Sequence, residues 1–336
     1  MYASFYGFSA KPFQLKPDPN FFYGSTGHKR AMAYLEYGLS QAEGFIVITG
    51  EVGAGKTTLV RNLFRKLEPD KIVAAQIVNT NLDSEDTLRM VAAAFGLPLP
   101  QGGKSGKASV LIGLEQFFRK CGQQGKRALL VVDEAQNLSP RTVEELRMLS
   151  NFQGDDKPLL QTFLLGQPEF RKTLMGRDMQ QLRQRVTATY HLGPMDLAET
   201  RAYIEHRLKT AGWGGDPAFD EEALSSIYEY SAGIPRRINA LCDRLLLMGY
   251  LERLHSFGGS EVRDVIRDIE QEFDVAGALV DISSQDQILA DTQRLQSLDD
   301  LEEMQGRLAN LEETVVSLVD LLKQILSLAD VNKRLR

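Results

Sequence analysis

The chain has 336 residues, 43% hydrophobic and 25% charged, a globular composition that excludes disordered, fibrous and membrane-embedded classes. Its net charge of -6 is uneven: from Asp281 to Arg336 there are 11 acids and 6 bases, leaving 1–280 with 33 bases against 34 acids. That near-neutrality argues against a strongly basic nucleic-acid platform, a local patch aside.

The N-terminal stretch, 1–43, opens on aromatic and Pro-rich sequence, FYGFSAKPFQLKPDPNFFYGS, and continues as a helix with Ala31, Leu35 and Leu39 near one face. The opening MYASFYGFSA lacks the basic-then-apolar pattern of a signal peptide. The longest apolar runs, such as 45–49, fall far short of the roughly 20 residues of a membrane span. A cytoplasmic chain is expected. His28 reads as a single histidine in a polar turn, and four histidines without metal-ligand spacing make a metal site there unexpected. Cys121 and Cys242 have neither ligand spacing nor cysteine neighbours and read as buried, inert thiols of a reducing compartment.

From 44 to 193 the sequence alternates. Short β-branched runs at 45–49, 72–78, 128–133, 159–165 and 187–192 are separated by helical patterns near 57–67, 84–95, 107–122 and 140–151. Strand and helix in turn predict an α/β domain, a parallel sheet sandwiched by helices. From Pro194 the strands are expected to stop. Four helical segments follow in 194–274, near 197–211, 219–231, 235–254 and 260–274, with Gly212, Gly233 and Gly258 with Gly259 as stops and Ser260 as the last N-cap. This is read as a small all-helical domain. A linker is expected over 275–300. The final stretch, 301–336, carries a heptad: Leu301, Leu308, Val315, Leu322 and Ala329 at one position, Met304, Leu311, Leu318 and Ile325 at the other. Its apolar stripe is narrow up to Leu311 and wider from Val315, where Val319, Leu321, Leu326 and Leu328 flank it. A coiled-coil or docking helix fits that pattern, in a larger bundle, a partner groove or at a membrane interface, as does a helix folded back on its own core.

The strongest chemical signal is GEVGAGKTT at 50–58, between the run FIVIT and a helix starting near Lys56. It matches G-x-x-x-x-G-K-[ST], whose mechanism needs backbone N–H groups turned inward and unobstructed by Cβ atoms. Gly50, Glu51, Val52, Gly53, Ala54, Gly55, Lys56, Thr57 and Thr58 form the expected cradle. Gly53 and Gly55 permit the close approach, and the helix N-terminus adds positive potential. Lys56 is expected to reach the β- and γ-phosphates of ATP, and the Thr57 hydroxyl to ligate Mg²⁺. The alternative is a Gly-rich turn with a chance lysine. In LLVVDEAQN an apolar strand ends in Asp133 and Glu134. Asp133 is then a second Mg²⁺ ligand, direct or through water, and Glu134 the group that polarises the attacking water, unless the pair is only a solvated strand end.

Together with SAGIPRRINAL, these motifs resemble the AAA+ ATPases. The opening FYGFSAKPFQLKPDPNFFYGSTGHKRAMAYLEYGL and the EGFIVITGEVGAGKTTL that follows are similar, more narrowly, to the GspA/ExeA-type secretion ATPases, and within them to the secretion ATPase of exosortase (PEP-CTERM) and exopolysaccharide loci. The resemblance covers about 1–270, leaves the heptad tail outside, and finds no counterpart of the transmembrane and cell-wall-binding regions of longer relatives. It implies a helical lid over 194–274, and it makes Gln167 a sensor near the γ-phosphate, with a loop amide as the alternative. It makes Arg185 in QLRQRVTA the finger offered to a neighbouring subunit, with Arg183 second; either could be a surface helix charge. Arg236 becomes the lid arginine that forks phosphate oxygens, the alternative being a capped helix start after Pro235. Phe21, Phe22 and Tyr23 either cover the adenine or anchor a loop on the core.

The implied function is Mg-dependent ATP hydrolysis by a homo-oligomer, a ring among the options, that drives or regulates assembly of an envelope secretion or exopolysaccharide-export machine, with peripheral inner-membrane contact left open. Two alternatives stay beside it. One is a DNA-engaged ATPase of the transposon target-selection or loader kind, which the charge of 1–280 disfavours; the other is a nucleotide-gated scaffold with slow turnover.

Overall fold

The computed structural model describes residues 1–41, 43–78, 83–98, 106–154 and 157–272. The linker and heptad tail expected over 275–300 and 301–336 lie outside the described residues. Residues Met1–Ile266 form one compact unit.

Five strands, β1 (Phe45–Gly50), β2 (Ile72–Ile77), β3 (Arg127–Val132), β4 (Leu160–Gly166) and β5 (Val186–Leu192), make one all-parallel sheet in the order β2-β3-β4-β1-β5. Alternation along each strand divides its side chains between two buried layers. Phe45 and Val47 of β1, with Leu130 and Val132 of β3, face a core closed by α4 (Ser84–Ala94), α5 (Lys107–Gln123) and α6 (Pro140–Leu149). Ile46, Ile48, Leu129 and Val131 face the opposite core, closed by α2 (Thr26–Gln41) and α3 (Lys56–Lys66). Both faces are covered, so β4 is buried from end to end, including Gln161, whose side-chain amide donates to the Gly38 carbonyl at 2.6 Å. The edge strand β5 instead alternates between half-buried and exposed positions, with Thr187, Thr189 and His191 exposed.

The helices begin where capping chemistry allows. Asp83 accepts from the Asp86 N–H at 2.8 Å, Ser139 from the Thr142 N–H at 3.1 Å, and Asp196 from the Glu199 N–H at 2.8 Å. After the sheet come α9 (Leu197–Thr210), α10 (Glu221–Ser231) and α11 (Pro235–Glu252). Three short helices escaped the periodicity: α1 (Tyr2–Phe5), α7 (Pro168–Met175) and α8 (Gln180–Arg183). Elements of four to eight residues are too brief to show a 3.6-residue repeat.

Two expectations are corrected. Strands do not stop at Pro194: Ala218–Phe219 and Ser256–Phe257 pair in parallel, a two-residue ladder joining the starts of α10 and the last helix. Nor does Ser260 cap that helix, which opens at 259. The Glu261 carboxylate accepts from the Gly258 N–H at 2.7 Å, and the Ser260 hydroxyl bonds to that same carboxylate. A carboxylate two or three residues into a helix satisfies a free N–H as well as a capping serine does.

The N-terminal segment is tied to α9 by one buried arginine. Arg207 is 7% exposed and donates through Nε to the Pro12 carbonyl at 2.6 Å and through Nη1 to the Tyr203 hydroxyl at 3.0 Å. Its guanidinium lies 5.1 Å from the Phe21 ring centroid. Arg207→Met keeps the stem but strands these acceptors in the interior, which costs about 3 kcal/mol. A lower unfolding midpoint and faster proteolysis ahead of Thr26 are the expected results.

Candidate active site

β1 ends at the carboxyl edge of the sheet and runs straight into the 50–58 loop, which opens α3 at Lys56. Gly53 sits at φ +84, in the left-handed region that a side chain strains, and a Cβ there would lie 2.3 Å from the Arg236 Cβ. The start of α11 therefore rests directly on the loop, with the Arg236 N–H donating to the Gly53 carbonyl at 3.2 Å. Lys56 is 6% exposed, and its Nζ donates to the Gly50 carbonyl at 2.6 Å and the Glu51 carbonyl at 3.0 Å. Burial pushes the Lys56 ammonium below its usual range while Glu134, Asp133, Glu51 and Glu169 pull it back.

Asp133 follows the last residue of β3. That strand is not next to β1, since β4 lies between them, yet the Thr57 hydroxyl on α3 donates to Asp133 Oδ2 at 2.8 Å. Burial raises the Asp133 carboxyl above its ordinary range, against hydrogen bonds from Thr57 and the Glu134 N–H. A hydroxyl and a carboxylate in contact, beside the 50–58 loop, form a hard oxygen donor set suited to Mg²⁺. No group of three or more His, Cys, Asp or Glu side chains could hold a metal among the described residues. Magnesium held by one acid, one hydroxyl and substrate phosphates needs none.

Glu134 takes a left-handed backbone conformation, φ 55 and ψ 41. Strain of that kind in a non-glycine residue persists only where the surroundings impose it. Its Oε2 accepts from the Gln136 side-chain amide at 2.5 Å and from that of Gln167 at 3.3 Å, while Gln136 Oε1 accepts from the Gln167 N–H at 3.0 Å. Gln167, immediately after β4, is thus brought to Glu134. Gln136 was not singled out by the sequence, although it stands two residues beyond Glu134, and its amide joins that of Gln167 on one carboxylate oxygen.

A cavity of about 320 Å³ joins these parts. It is lined by the loop, Glu134 and Arg236, by Phe21, Phe22 and Tyr23 of the N-terminal segment, and by Tyr203, Arg207 and Asn239 of α9 and α11. Phe21 is also buried, so it both anchors the segment and walls the cavity. Tyr203 and Asn239 are hydrogen-bonded to each other at 2.8 Å; neither carried a sequence signal, because each is one polar residue in an ordinary amphipathic helix. His28 is not in a polar turn: it lies in the first turn of α2, is 6% exposed and lines the same cavity. Cys121 and Cys242 are buried and do not line it, and burial raises both thiols.

Arg185 and Arg183 are not brought to the cavity. The Arg185 carbonyl accepts from the Phe45 N–H at the opposite end of β1, roughly 17 Å from the loop by the rise of a strand. The Arg185 side chain donates to Ser150 Oγ at 3.1 Å, and that of Arg183 to the Leu174 carbonyl at 3.0 Å. Both are exposed.

Residues 39–174 match the AAA domain. That matching stretch holds the 50–58 loop and the Asp133–Glu134 pair. It is 40% identical over 256 residues, 76% of its length, to the general secretion pathway protein A of Aeromonas hydrophila, and it spans less than half, 46%, of that relative. Among solved structures it resembles the Aeropyrum pernix ORC2 protein, with a TM-score of 0.58 and 17% identity over 77% of this chain and 71% of that one. It also resembles Cdc6p of Pyrobaculum aerophilum, with a TM-score of 0.59 and 18% identity over 74% and 70%. These two likenesses bear on the fold alone. The chain shares the α/β sheet of that fold and is similar in sequence to general secretion pathway protein A. No helix among the described residues is long and apolar enough to cross a membrane.

Proposed function

We propose that the chain is a Mg-dependent, oligomeric ATPase that drives or regulates assembly of a bacterial envelope secretion or exopolysaccharide-export system, of the kind found in exosortase loci. The observation that carries this reading is the 40% identity with general secretion pathway protein A over 256 residues, 76% of this chain. In this reading ATP lies with its phosphates on 50–58, Lys56 and Arg236 contacting them, and its base between the aromatic segment 21–23 and a lid made of 194–274. Mg²⁺, held by Thr57 and by Asp133, would neutralise phosphate charge. Glu134 takes a proton from water as that water attacks the γ-phosphate, and Gln167 holds Glu134 and the water in register. Arg185, with Arg183 second, serves a neighbouring copy. The proposed setting is cytoplasmic, with peripheral contact at the inner membrane.

The test is crosslinked capture from the native host with Glu134→Gln, which is expected to hold the ATP state together with its client. Envelope export components in the captured set support the reading. Capture of DNA-processing proteins, or ATP turnover stimulated strongly by duplex DNA at about 0.15 M salt, sinks it in favour of a DNA-engaged ATPase.

A further inference from the structure

A phosphate loop works only if its N–H groups point inward, and in a planar trans peptide the carbonyl then points the opposite way, into protein. Buried carbonyls need partners. Two of the outward carbonyls find them in backbone: Gly53 accepts from the Arg236 N–H at 3.2 Å and Gly55 from the Leu59 N–H at 2.9 Å. The remaining one at the tightest part of the loop belongs to Ala54, which is 2% exposed.

His28 occupies that position. A Cβ placed on Gly55 would lie 2.6 Å from His28 Nε2, so the ring edge abuts the Ala54–Gly55 peptide; burial lowers the basicity of the ring and the Ala54 backbone pulls it back up. The other ring nitrogen, Nδ1, lies 2.7 Å from Ser25 Oγ. That oxygen already accepts from the His28 N–H at 3.3 Å, so its own proton is free for Nδ1. Ser25 is 3% exposed and the Phe22 ring closes the site edge-on at 5.7 Å. When the serine hydroxyl donates to Nδ1, the single proton of a neutral imidazole is on Nε2, the nitrogen that faces the Ala54–Gly55 peptide.

We propose that His28 is a positioning residue for nucleotide binding: its Nε2–H holds the Ala54 carbonyl outward and so aims the Gly55 N–H into the phosphate cradle. The inference rests on reading 50–58 as the phosphate loop. Without the donor the Ala54–Gly55 peptide is free to turn over and present a carbonyl oxygen to the phosphates, which repels them.

The test uses the full chain with ATP and adenosine as probes. His28→Phe keeps the volume and removes the donor; it is expected to weaken ATP binding about 30-fold while adenosine binding stays within about twofold. His28→Gln, whose amide nitrogen can reach the place of Nε2, is expected to return ATP affinity to within about threefold of the wild type. Unchanged ATP affinity in His28→Phe, equal loss of adenosine, or no rescue by glutamine overturns the proposal. If neither variant folds, ¹⁵N NMR of the wild-type imidazole decides, since a proton on Nδ1 rather than Nε2 overturns it equally. Lys56→Ala separates the two levels: retained ATP binding there defeats the phosphate-loop reading itself, whereas lost binding beside an unaffected His28→Phe defeats only the role of His28.

Discussion

Lys56→Ala and Glu134→Gln are expected to fail at different steps. Lys56 carries a buried cation whose contacts, in the proposed reading, are to ground-state phosphates, so its removal lowers ATP affinity by about 100-fold or more. Glu134 acts on water alone. Its isosteric amide keeps the shape of the Glu134, Gln136 and Gln167 cluster, and ATP affinity should stay near the wild-type value while turnover falls about 10³-fold. Equilibrium titration with ATP and steady-state phosphate release, run on the same preparations, read both quantities. Wild-type turnover in Glu134→Gln would remove Glu134 from the role of base, and normal affinity in Lys56→Ala would remove Lys56 from the phosphates.

Arg185→Ala should abolish turnover just as fully, by about 10³-fold, without touching nucleotide affinity in its own subunit. The reason is position: its carbonyl pairs with Phe45 at the end of β1 remote from the loop, and its side chain rests on Ser150 at the surface. From there it can serve a phosphate site only in a neighbouring copy. Mixing Lys56→Ala with Arg185→Ala chains is therefore expected to recover part of the activity, because a mixed assembly pairs an intact cradle with an intact arginine. Failure of recovery, with mixed assembly demonstrated separately by subunit exchange, would shift the role to Arg183.

The phosphate loop, the Asp133–Glu134 pair and the alternation of strands and helices were legible in the sequence because each is local. A loop that must present N–H groups needs Gly53 and Gly55 within a few residues of Lys56, and a buried parallel strand is mostly apolar, as FIVIT and LLVV are. Periodicity also found the helices of ten residues or more. It could not find α7, α8 or the two-residue ladder at 218–219 and 256–257, which span too few turns to establish a repeat or are made by pairing distant segments. Only the tertiary structure decided that β4 separates β3 from β1, that Gln136 and Gln167 share one carboxylate oxygen, and that Arg207 straps the aromatic segment to α9. His28 makes the division plainest. In sequence it is one histidine among polar residues, 27 positions before Gly55, with nothing in spacing or composition to mark it. Its meaning comes from burial and direction, because a hydrogen bond is a relation between atoms in space and a side chain's partner is set by how the elements pack rather than by its neighbours in the chain.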